Sequence, residues 1–227
     1  MANNQAVSFD DLPPEISNLV YGLVLQLDEP IVLECHRPKS LRIKKPRGPY
    51  GEKVFQDTEH RANVSLLRVN HRVNAEAAPI LYGANTYVFR CQYGYGSEAK
   101  LFSFLTMIGD SKKHLRSIEM DRCYNAVMIR SAFHLLKQAT QLESFEISRD
   151  MMHELVHKRN HLQALQPWFK ALRKNAADMK AHKGALGIFK VNLPTEPLYL
   201  TSPGKQLFVE WRENRVKLMA RLAKALA

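Results

Sequence analysis

Two segments of the chain carry the same signature 27 residues apart: Leu115-x-x-Ile118-x-Met120 and Leu142-x-x-Phe145-x-Ile147. Alternating apolar positions of this kind mark a strand with one buried face. Between them, residues 125–139 carry Val127, Ile129, Phe133 and Leu136 at the spacing of one helix face. Strand, helix, strand over so short a span predicts parallel neighbours joined by a right-handed crossover. The 27-residue period falls within the range of leucine-rich repeats. Two copies are too few for a solenoid, so the expectation is a repeat-like strand–helix layer in an α/β or α+β fold.

Other segments predict further elements. Residues 12–27 form a helix on the pattern Ile16, Leu19, Val20, Leu23, Val24 and Leu27, with Pro13 and Pro14 suited to its first turn. Residues 31–35 form a strand, and residues 36–60, rich in proline, glycine and charge, form a long loop. A second helix over 62–82 is expected to bend or break at Pro79, with Gly83 as its left-handed cap. A strand follows at 86–91, a turn at 92–97 and a helix at 98–109 closed by Gly109. Helices at 150–166 and 168–182 are expected to part at Pro167. A strand at 185–193 and a helix over the last 24 or so residues complete the pattern. In that helix Leu207, Trp211, Leu218 and Leu222 line one face.

Phe9-Asp-Asp-Leu-Pro-Pro-Glu-Ile16 precedes the first apolar helix. Leu66-Leu-Arg-Val-Asn-His-Arg-Val73, Glu76-Ala-Ala-Pro-Ile-Leu-Tyr-Gly83 and Asn85-Thr-Tyr-Val-Phe89 follow. Together these segments resemble a class of fungal proteins with F-box-like N-termini. The resemblance implies a protein-interaction module, a substrate adaptor that docks on the adaptor subunit of a cullin-type ubiquitin ligase. It implies no catalytic residues. Its contact face would be Leu12, Pro13, Ile16, Leu19 and Leu23. The other reading of these side chains is that they pack on the rest of the chain. The resulting organisation is an F-box-like region over 1–95 carrying the basic loop 36–60, a repeat-like layer over 96–200, and a basic amphipathic helix over 201–227. The first two are expected to form one continuous domain.

Charge is distributed unevenly. The net charge is +11, yet residues 1–30 carry five acids and no Lys or Arg. Residues 36–47 hold six Lys/Arg and no acid, and residues 151–227 hold 14 Lys/Arg against 5 Asp/Glu. A basic field attracts polyanions, so nucleic-acid binding is the alternative function. Its candidate contacts are Arg212, Arg215, Lys217, Arg221 and Lys224, with Trp168, Phe169, Phe189 or Trp211 to stack on bases. Ordinary solvation of a soluble surface accounts for the same charges.

One catalytic signature is present. His153-Glu-Leu-Val-His157 matches H-E-x-x-H, which on a helix can hold zinc with Glu154 as general base, and His161 adds a third imidazole. A zinc metallohydrolase is therefore the remaining alternative, with His153, His157 and His161 as ligands. Met151, Leu155, Leu162 and Leu165 lie mostly on the opposite side of that helix, so the histidines point away from the expected core, and the match is read as fortuitous. Cys35, Cys91 and Cys123 form no C-x-x-C and are read as core thiols of a reducing compartment. The opening residues lack the charged and apolar regions of a signal peptide, and no apolar stretch is long enough to span a bilayer. The chain is thus expected to be non-enzymatic and intracellular, cytoplasmic or nuclear, with no cofactor and no membrane association.

Overall fold

Ser117 pairs with Ser144, Ile118 with Phe145, Glu119 with Glu146 and Met120 with Ile147 in adjacent parallel strands. The sequence repeat is therefore the register of the sheet: each residue faces its counterpart 27 positions on. The computed structural model describes residues 9–37, 40–43, 64–90, 96–178, 185–192 and 202–226. The strands are β1 (Ile31–Arg37), β2 (Ser40–Ile43), β3 (Thr86–Phe89), β4 (Ser117–Met120), β5 (Ser144–Ser148) and β6 (Phe189–Asn192). They form one sheet in the order β2-β1-β3-β4-β5-β6. β2 runs antiparallel at the edge and the other five are parallel, in chain order.

The helices are α1 (Pro14–Leu25), α2 (His71–Ala84), α3 (Ser97–Met107), α4 (Ala126–Leu136), α5 (Arg149–His157), α6 (Arg159–Asp178), the single turn α7 (Ala185–Ile188) and α8 (Ser202–Leu226). Parallel strands in chain order with crossovers of one hand place their helices on one face. The packing agrees: α3 lies against α4 and α4 against α6, while α8 covers α5 and α6. Ile31, Leu33, Tyr87, Phe89, Ile118, Met120, Phe145, Ile147 and Phe189 all enter the core beneath these helices. Its centre is aromatic. The Trp168 ring lies 4.9 Å from those of Phe133 and Phe145 and 4.8 Å from that of Phe169. Tilted and edge-on contacts at this separation add to the burial of the rings themselves.

A second, smaller core joins α1 to α2 through Tyr21, Leu25, Val73, Ala77 and Leu81, and Leu27 and Tyr82 touch both cores. Polar side chains close the helix ends that burial alone leaves open. Asn70 accepts from the Val73 amide, Asn125 from the Val127 and Met128 amides, and Ser148 from the Met151 amide. Each satisfies first-turn N–H groups that have no partner within the helix.

Several expected boundaries differ. α2 runs through Pro79 to Ala84 without ending there. Burial of Val73, Ala77, Ala78 and Leu81 outweighs the one hydrogen bond that proline removes. Gly83 is helical rather than a left-handed cap, and a Cβ there would meet the His114 carbonyl oxygen at 3.4 Å, an ordinary van der Waals contact. Gly109, with φ 53°, does adopt the left-handed conformation. Pro167 sits inside α6, and the break falls instead at Lys158, whose backbone is extended. Pro167 and Gln163 are both exposed, so water can serve the carbonyl that the proline leaves free. Residues 185–188 are a helical turn and only 189–192 are strand. β2 occupies part of the expected loop, and residues 44–60 of that loop lie outside the described residues, as do the first two residues of the expected 62–82 helix and most of the 92–97 turn.

Candidate interaction face

α1 begins where Pro13 adopts an extended backbone and Pro14 supplies a first helical residue that needs no N–H partner; Glu15 lies in the positively polarised first turn. Nearly every later position is apolar, so hydrophobicity alone does not choose the face to bury. Two polar contacts choose it. The Tyr21 hydroxyl donates to Glu76 Oε2 at 3.1 Å, and Glu76 Oε1 accepts from Arg72 at 2.9 Å. The Arg72 bond holds the Glu76 carboxyl below its usual range despite some desolvation, and Tyr21 adds to this. At the other end, Asn85 Nδ2 donates to the Leu25 and Leu81 carbonyls, each at 2.8 Å, and Asn85 Oδ1 accepts from the Leu27 amide at 2.8 Å. Ser17, Tyr21 and Leu25 thereby face inward.

The opposite side of the same helix is apolar and open. Ile16 is 46% exposed, Leu19 61% and Leu23 78%. At 100° per residue these three fall within roughly 60° of arc, centred opposite the Ser17–Tyr21–Leu25 stripe. Of the expected contact residues, Ile16, Leu19 and Leu23 form this one stripe, Pro13 is exposed at its N-terminal end, and Leu12 is half-buried. The sequence pattern grouped Val20 and Val24 with the stripe; both are half-buried at its flank. The anchoring residues Ser17, Tyr21 and Asn85 were missed, and only the hydroxyl and amide groups placed among apolar neighbours hinted at them.

The basic set does not gather in this way. Arg212 and Arg215 lie on one flank of α8, and Lys217, Arg221 and Lys224 on the other, at 100° per residue. Lys217 pairs with Glu213 at 3.6 Å, and Arg221 Nη1 donates to the Val156 carbonyl at the end of α5. The aromatics proposed for base stacking are committed elsewhere. Trp168, Phe169 and Phe189 are core residues, and Trp211, half-buried, lies under the Arg149 guanidinium at 4.7 Å.

The zinc signature is also dispersed. His153 and His157 are exposed on α5 with ring centroids 4.2 Å apart. His161 lies beyond the break at Lys158, on α6, and is buried, which corrects its expected place one turn further along the same face. Its Nδ1 stands 3.8 Å from Glu154 Oε2, and that oxygen is 2.5 Å from the Lys158 ammonium. Among the described residues no group of three His, Cys, Asp or Glu side chains is placed to hold a metal ion.

Two further clusters complete the polar groups. Glu98 is buried and its Oε1 accepts from the Tyr124 and Asn125 amides at 3.0 and 2.9 Å, at the start of α4. Gly96 makes room for that carboxylate: a Cβ there would lie 1.9 Å from Glu98 Oε2. Burial first, and then the Glu98 charge, push the adjacent Cys123 thiol well above its usual range, so it is an inert core thiol. On the face of the sheet away from the helices, Val32, Val88, Glu119, Glu146 and Lys190 stand in one row across five strands. Partial burial and then the facing Glu146 raise the Glu119 carboxyl; Arg90 opposes them.

No family model matches the chain, and neither a curated protein nor a solved structure matches it. Among the described residues no helix is long and apolar enough to cross a membrane.

Proposed function

We propose that this protein is a protein-interaction module that docks its partner on the exposed stripe of α1. The observation that carries the reading is the stripe itself: Ile16, Leu19 and Leu23 face solvent on a helix whose other side is pinned by Tyr21, Leu25 and Asn85. A contiguous exposed apolar surface of this kind is the usual mark of a docking site. The stripe follows directly on Leu12-Pro-Pro-Glu15, where the F-box-like resemblance places the contact with a cullin-ligase adaptor subunit. In this reading the repeat-like layer of strands and helices is the scaffold that holds α1 at one end, and the protein is an adaptor with no catalytic step of its own.

Polyanion binding is less well supported, because the α8 cations are split between two flanks, interspersed with Glu210 and Glu213, and Arg221 caps α5. Titration of the purified chain with a purified cullin-ligase adaptor subunit tests the reading. Binding that Leu19→Asp abolishes, with the fold intact, supports it. Absence of binding, or binding indifferent to Leu19→Asp, contradicts it.

A further inference from the structure

α8 has an outer stripe of its own. Its inner side buries Asn214, Leu218 and Leu222 against α5 and α6. Opposite them at 100° per residue stand Val209, 54% exposed, Val216, 69% exposed, and the exposed Ala220. Exposed Arg212 and Lys224 flank this line, with Glu213, paired to Lys217, at its edge, and α8 as a whole carries six Lys/Arg against two Glu. The α1 stripe has the opposite border. Glu15 adjoins it, Asp28 and Glu29 follow its C-terminal end, all three are exposed, and residues 1–30 contain no cation. The border of the α8 stripe is thus net basic where that of the α1 stripe is acidic.

We propose that the chain self-associates, with α1 of one copy lying against α8 of another. This rests on the reading of the α1 stripe as a docking face, and names a second copy as one of its occupants. The contact joins copies because α1 is tied through Asn85 to the start of β3, whereas α8 packs on α5, which lies against β5 and β6 at the other end of the sheet. β1 and β6 are four strand spacings apart, about 19 Å. Apolar burial supplies the attraction, and the opposed rims set partner choice and orientation. Because the rims are exposed, their part of the attraction is screened by salt. An external partner that takes the α1 stripe displaces the second copy, so self-association keeps the stripe covered until that partner is present.

Analytical ultracentrifugation of the full chain tests this with exposed substitutions. The wild-type chain is expected to associate reversibly at high micromolar concentration, and more weakly at high salt. Glu15→Lys/Asp28→Lys/Glu29→Lys makes both rims basic, and Arg212→Glu/Lys224→Glu leaves the α1 rim acidic and removes the cations facing it. Each variant alone is expected to dissociate at least about tenfold more readily. An equimolar mixture of the two is expected to associate again, since each then finds an opposite rim. A wild-type chain that is monomeric throughout overturns the proposal, and so does α8 reversal without effect or a mixture that stays monomeric. Adaptor titration at a concentration where the chain is monomeric reports on the α1 docking face separately, so the two readings fail independently.

Discussion

The Asn85 side chain donates to the Leu25 carbonyl, 60 positions earlier in the chain, and so fixes the last turn of α1 to the start of β3. The same amide serves the Leu81 carbonyl and the Leu27 N–H, so one buried residue satisfies three backbone groups. Asn85→Ala takes this partner from the Leu25 carbonyl and the Leu27 N–H, while the Leu81 carbonyl keeps the Tyr87 hydroxyl at 3.0 Å. A loss of about 2–3 kcal/mol of unfolding free energy is expected, on the scale of stranded buried polar groups. Urea denaturation of the two proteins measures it, and a loss below about 0.5 kcal/mol would contradict the pinning role.

His161 is buried at the junction of α5 and α6, and its pKa is lowered first by burial and then by Lys158, with Glu154 and Glu98 acting the other way. The native state thus binds this proton less readily than the unfolded chain. The resulting stability is complete above the unfolded value of about 6.5 and is lost as pH falls from there through the lower native value. His161→Gln should flatten that part of the stability curve. Denaturant midpoints taken between neutral and mildly acidic pH provide the check; an unchanged slope in the variant would count against it.

Glu119 and Glu146 face each other directly in the parallel ladder. Like charges so placed are destabilising, and partial burial first, then Glu146, raise the Glu119 carboxyl. The native state holds this proton more tightly than the unfolded chain, so the penalty is present at neutral pH and is relieved as pH falls through the raised value. Glu119→Gln, which leaves the facing Glu146 and Lys190 in place, should stabilise the protein at neutral pH by a few tenths of a kcal/mol, roughly the scale of one cross-strand pair on a partly solvated face. The gain should vanish in acid, and thermal melts at both pH values measure it.

The exposed His153–His157 pair and the buried His161 predict the response to zinc. Any zinc uptake should be weak, and His161→Ala should leave it unchanged, because that imidazole lies beyond the break at Lys158. Calorimetric titration showing one tight zinc per chain, lost in His161→Ala, would refute this placement.

The layer was legible because its signal is periodic. The alternation around Ile118 and Phe145 states both which face is buried and how far apart the strands repeat, and the ladder adopts that 27-residue offset. α1 was legible as a helix but not in its orientation, since apolar residues on most of its circumference give the pattern no phase. The groups that orient it are Tyr21 and Asn85, whose partners lie 55 to 60 residues away and leave no local trace. Pro79 and Pro167 misled for a related reason. A proline states that one hydrogen bond is lost, but whether the helix ends depends on the packing around it. The break at Lys158 carried no proline or glycine to announce it, and with it went the expected place of His161.

Leu23 and Leu25 give the most direct test, because they are two residues apart on one helix and face opposite ways. Leu23→Asp should leave the unfolding midpoint essentially unchanged and abolish binding of the cullin-ligase adaptor subunit. Leu25→Asp should unfold the N-terminal helices by burying a charge without a partner. Calorimetric titration of the adaptor subunit into wild-type and Leu23→Asp chains, alongside their melts, decides the matter. Loss of binding with an unaltered melt is the predicted result; a folded Leu23→Asp chain that binds as tightly as wild type would contradict the account.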